Sequence, residues 1–167
     1  MSWSRFALAL LVVTLAQTAV IPLTGLGAMV DLFTVLALVV AMTAPMHDAR
    51  IAAWIVGLVY GAATIGSVGA HALALGLAGW LLTLLRGTLN VAAAPGRVVA
   101  SFLAAWPALL LIRLHLRYWE LGAGESLIAV LVNSCGLAVT ASVLAALITF
   151  FPGLGPRRGR RKRRVLG

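Results

Sequence analysis

Of the 167 residues, 62% are apolar and 17 more are Gly, so about seven positions in ten carry no polar side chain, against about 45–50% in soluble domains on a similar count. Only 10% are charged, and seven of the thirteen Lys and Arg residues form one C-terminal run, so the net charge of +9 belongs largely to a tail. These figures exclude a soluble enzyme, a soluble nucleic-acid-binding domain and a disulfide-stapled secreted module, and a single Cys135 excludes an intramolecular disulfide.

A hydrocarbon core of about 30 Å needs roughly 20 helical residues. The apolar runs predict an all-α integral membrane protein with six spans, at about 5–22, 31–46, 50–68, 71–91, 97–117 and 126–151. Residues 1–151 form the transmembrane domain and 152–167 a basic cytoplasmic tail. The first run resembles a cleavable signal peptide, but apolar character continues through Val20 and Ile21 to Pro22, which favours a retained helix. With both termini cytoplasmic, Arg5, Arg50, Arg86, Arg97 and the seven tail residues fall inside, eleven in all, against Arg113 and Arg117 outside.

Ionisable groups inside a bilayer are costly and usually functional. Here Asp31, Asp48, Glu120 and Glu125 all stand at span ends or in loops, which argues against a proton or sodium relay. No hydrolase or metalloprotease motif is present, and His47, His71 and His115 lack metal-ligand spacing, so no catalytic residue, cofactor or metal is expected. Ser67 and His71 at i, i+4 could be drawn as a nucleophile and base, but an interfacial His near a turn is the simpler expectation.

Helix-packing patterns are abundant. Ala49, Ala53, Gly57 and Gly61 recur every four residues in the third span, and Ser134, Ala138, Ser142 and Ala146 do so in the sixth, with Asn133 at the strip's edge. Such smooth strips admit close helix approach, either within the bundle or by a partner's span, and Asn133 needs a hydrogen-bond partner. Pro107 should kink the fifth span, while Arg113 and Arg117 reach the outer interface. The tail residues Arg157, Arg158, Arg160, Arg161, Lys162, Arg163 and Arg164 are expected to lie on an anionic leaflet, at about 1 kcal/mol each. An acidic cytoplasmic protein is the second expectation for the tail, and nucleic acid is not expected as a partner.

In the third span and after it, Gly57, Gly61, Val68, Gly69 and Ala72-Leu73 follow a recurrent spacing: G-x-x-x-D, eight residues to a Gly preceded by Leu, then x-x-A-L. Together with Asp31-Leu32, Pro45, Val132-Asn133 and the basic tail, these positions resemble the rod-shape-determining protein MreD family of bacterial inner-membrane proteins. Two positions depart from the pattern: Gly61 stands where the family has Asp, and Val68 where it has Leu. A role for that Asp therefore does not carry over. The resemblance implies a non-enzymatic scaffold for cell shape and lateral peptidoglycan synthesis, bound to an MreC-like protein and linking an actin-like MreB filament to peptidoglycan synthases. On this reading Ala53, Gly57, Gly61, Gly69, Asn133, Ser134 and Ala138 are expected to pack against a partner helix. The alternative is the substrate-binding membrane component of an energy-coupling-factor vitamin transporter, which requires an outward pocket with several polar side chains; Thr24, Ser67, His71 and Arg113 are few candidates for one.

Overall fold

The computed structural model describes residues 1–25, 29–64, 67–89, 91, 93–120 and 126–150. Among these the chain is all-helical: α1 (Trp3–Leu15), a π-helical turn (Ala16–Val20), α2 (Ile21–Thr24), α3 (Leu32–Thr43), α4 (Met46–Ala63), α5 (Val68–Thr88), α6 (Ala94–His115), a second π-helical turn (Leu116–Glu120) and α7 (Leu127–Phe150). The expected tail, Arg157 to Arg164, lies outside the described residues.

Local chemistry sets the ends of these helices. Asp31 caps α3 by accepting from the amides of Phe33 and Thr34, and Ser67 and Ser126 cap α5 and α7 through their hydroxyls. Pro45 follows α3 and begins the turn into α4, where its ring and missing N–H cannot continue the preceding helix. Pro107 lies inside α6, which remains helical through it.

Four helices are long and apolar enough to cross a membrane: Trp3–Thr24, Val68–Thr88, Ala94–Trp119 and Leu127–Phe150. The other two expected spans are shorter or more polar. At 12 residues, α3 is about 18 Å long, well under the hydrocarbon thickness. The α4 helix begins at Met46 and takes His47, Asp48 and Arg50 into its first turns.

Burial explains how so short a helix holds its place. Nine of the twelve α3 residues are buried, because α3 lies in the middle of the bundle against α4, α5 and α7 and also touches α1 and α6. An apolar helix surrounded in this way is hydrophobic all round. Its C-terminal carbonyls then need a donor other than water. Arg86 supplies it: Nη1 of its guanidinium donates to Ala41 O at 2.6 Å and Ala44 O at 2.9 Å. Arg97 does the same for α7 through Thr149 O at 3.2 Å, and Arg50 Nε donates to Thr83 Oγ1. The basic residues expected on one side of the membrane are thus also tied into the bundle by hydrogen bonds. Replacing Arg86 by Leu should cost about 1.5–3 kcal/mol for a lost charge-assisted interaction, read as a fall of several degrees in the thermal unfolding midpoint in detergent; an unchanged midpoint would contradict this capping role.

Hydrogen bonds define the two ends of the bundle. One end collects the N-terminal ammonium, paired with Asp48 at 2.8 Å, together with Arg50, Arg86 and Arg97. The opposite end collects Gln17, Asp31, Tyr60, His71 and Arg113.

Candidate functional site

Two places hold polar groups in unusual surroundings: the outward side of α7 and the end of the bundle around Asp31.

The small-residue strips, where a partner helix is expected, are occupied from within the chain. Ala53, Gly57 and Gly61 are buried, and they face α5. A Cβ on Gly57 would lie 2.6 Å from Ala72 Cα and His71 O, and one on Gly61 would collide with Val68 Cα. From the α5 side, Gly79 meets Ala53 Cβ and Gly76 meets the Trp54 ring. This is a reciprocal small-residue contact between antiparallel neighbours, so the α4 strip is not open to a partner. Ser134 and Ala138 of α7 are likewise fully buried; Ala138 packs in a core with Val35, Leu38, Ala104 and Leu109. In this structure these five residues are packed within the chain and present no open surface to a partner helix. Gly69 is exposed at the start of α5, and a Cβ added there would meet only Ser67 Oγ within 4 Å, at 3.9 Å.

Asn133 behaves differently. It is exposed in the second turn of α7, and its amide makes no hydrogen bond among the described residues. Gly136, about one turn further on, has nothing within 4 Å of where its Cβ would be. Val132, Val139, Val143 and Leu147 continue the exposed line. Beside it runs an apolar groove of about 270 Å³ between α6 and α7, lined by Val99, Phe102, Leu103 and Val139. A bare amide on a lipid-facing helix is costly, and a missing side chain beside it leaves room for another backbone.

Around Asp31, residues far apart in the chain converge. Asp31 Oδ1 accepts from Phe33 N at 3.1 Å and Thr34 N at 3.3 Å, and Oδ2 accepts from Thr34 Oγ1 at 2.6 Å; Tyr60 lines the same cavity. Tyr60 stacks on Phe33 at 4.7 Å and meets the His71 ring edge-on at 4.5 Å. Gln17, on the first π-helical turn, accepts from Leu32 N at 2.9 Å and donates to Val30 O at 3.5 Å. Together with Arg113 these groups line a cavity of about 230 Å³. His71 and Arg113 were legible as polar residues of this side; Asp31, Tyr60 and Gln17 become part of a site only through the pairing of α1, α3 and α4.

The nucleophile-and-base drawing of Ser67 and His71 does not form. The Ser67 hydroxyl accepts from Ala70 N, and His71 Nδ1 donates to the Ser67 carbonyl oxygen at 2.9 Å, not to the hydroxyl. Among the described residues no three His, Cys, Asp or Glu side chains come together as metal ligands would. Arg117, expected to reach the interface, has Nε and Nη1 buried without a partner among the described residues, and its guanidinium carbon lies 5.7 Å from the Tyr118 ring centre.

No protein-family model, curated protein or solved structure matches the chain. Apolar helices of this number and length nevertheless make it a multi-pass membrane protein by architecture.

Proposed function

We propose that this protein is a non-enzymatic adaptor of the bacterial inner membrane, acting in cell-shape determination and lateral peptidoglycan synthesis as the MreD resemblance implies. All six helical passes cross the bilayer with both termini cytoplasmic. The end bearing Arg50, Arg86 and Arg97 faces the cytoplasm by the positive-inside rule. The basic tail rests on anionic lipid, within reach of an actin-like MreB filament, and the bundle links that filament to peptidoglycan synthases.

The observation that carries this reading is Asn133. Its uncompensated amide, the open space at Gly136 and the adjoining α6–α7 groove suit the transmembrane helix of an MreC-like partner, with one interhelical hydrogen bond worth about 0.6–2 kcal/mol. Changing Asn133 to Leu should reduce recovery of that partner and of wall synthases several-fold in an affinity pull-down from membranes, at unchanged expression and thermal stability. Equal recovery from both proteins would defeat the α7 assignment.

The vitamin-transporter reading is favoured by one observation, the polar cavity. Its volume of about 230 Å³ falls below the roughly 300–1,000 Å³ of pockets for drug-sized ligands, so the adaptor reading is preferred. Co-purification of ATPase subunits and a shared coupling protein would reverse that preference.

A further inference from the structure

The cavity at the Asp31 end contains an acidic and a basic side chain that do not touch. No salt bridge joins Arg113 to Asp31 among the described residues, yet both groups line the same space. Asp31 is held in place from its own side: the amides of Phe33 and Thr34 and the Thr34 hydroxyl all donate to it, which takes up three of a carboxylate's roughly four acceptor positions. It is therefore an anchored acidic group at the edge of the cavity, with little acceptor capacity left.

The unused capacity lies elsewhere. Arg113 makes no hydrogen bond among the described residues, leaving a planar fork of donors suited to a carboxylate. His71 is buried and lines the cavity. Because its Nδ1 donates to the Ser67 carbonyl, Nε2 of the neutral ring carries a lone pair and accepts. One wall thus offers a carboxylate site, and the other offers an acceptor beside an acidic side chain.

We propose that this cavity binds a small zwitterion, with its carboxylate on Arg113 and its ammonium on His71 Nε2 beside Asp31. A volume of about 230 Å³ admits a molecule of the size of a small amino acid. A simple anion would meet only Arg113, and a simple cation only His71 and Asp31. Such a ligand is independent of the adaptor reading, since a partner-binding bundle and a transporter component could equally hold it.

The test uses the purified full chain in detergent micelles, titrated with glycine, L-alanine, acetate and methylammonium, with binding read by saturation-transfer NMR. Saturable binding of glycine or L-alanine with a Kd below about 1 mM is expected, at least ten-fold tighter than acetate or methylammonium. Arg113→Met should weaken it at least ten-fold with an unchanged circular dichroism spectrum, and Arg113→Lys by less. Asp31→Asn should narrow the preference for glycine over acetate; should that variant fail to fold, the Arg113 pair decides. Acetate binding as tightly as glycine would overturn the proposal in favour of an anion site, and no saturable binding of any probe would overturn it in favour of a water-filled cavity.

Discussion

Replacing Gly57 with Ala is expected to lower the thermal unfolding midpoint in detergent by several degrees, and replacing it with Leu to prevent recovery of a monodisperse protein. The first added carbon would lie 2.6 Å from both Ala72 Cα and His71 O. Those are backbone atoms, so no side chain can turn aside and α4 must move away from α5. Overpacking of this kind costs about 1–3 kcal/mol, and the α4–α5 pair carries reciprocal contacts at Gly61, Gly76 and Gly79 that separate with it. Gly136→Ala is the matched control: with open space at that position inside α7, its midpoint should equal or exceed that of the parent, because Ala suits a helix interior better than Gly. A Gly57→Ala protein as stable as the parent would show that α4 and α5 do not meet as described. Loss of a partner in Gly57 variants would accordingly report a damaged bundle and not a damaged docking face.

Asp31→Ala should be the most destabilising single change at the polar end, by about 1.5–5 kcal/mol. Losing the cap of α3 accounts for about 0.5–2 kcal/mol. The hydroxyl of Thr34, which is buried, then loses its acceptor at about 1–3 kcal/mol. Asp31→Asn keeps one acceptor oxygen and the cap, so it should fall between the parent and Asp31→Ala. Unfolding midpoints of the three proteins in one detergent check the order. An Asp31→Ala midpoint equal to that of the parent would mean that neither the start of α3 nor the Thr34 hydroxyl depends on this carboxylate.

The all-helical class and the approximate helix positions were legible because apolar run length reports them directly, and Asp31, Pro45 and Ser67 mark ends by known chemistry; of the six expected spans, four are helices long and apolar enough to cross a membrane. The length of α3 was overestimated, because its apolar run includes Ala44 and Pro45; the proline stops the helix while hydropathy continues. Which face of each helix turns inward was harder to read. The α7 helix is apolar on every side, so nothing in the chain distinguishes Ser134, which is buried, from its neighbour Asn133, which is exposed. The strip in α4 was visible as a packing surface, but its partner was not, since small residues fit a helix of the same chain or of another equally well. Gln17, Asp31, Tyr60, His71 and Arg113 are spread over almost a hundred residues, and only the antiparallel order of the helices brings them to one end.

The adaptor reading depends above all on a partner helix lying along α7. A photo-crosslinking residue introduced at Val132, Gly136 or Val143 and activated in living cells should give an adduct with an MreC-like single-span protein, identified by mass spectrometry. The same residue at Leu77 or Leu84, exposed on α5, should give none, and Asn133→Leu should reduce the α7 adducts several-fold. Adducts with lipid alone at all three α7 positions, or equal protein adducts from α5, would contradict a docking face on this helix.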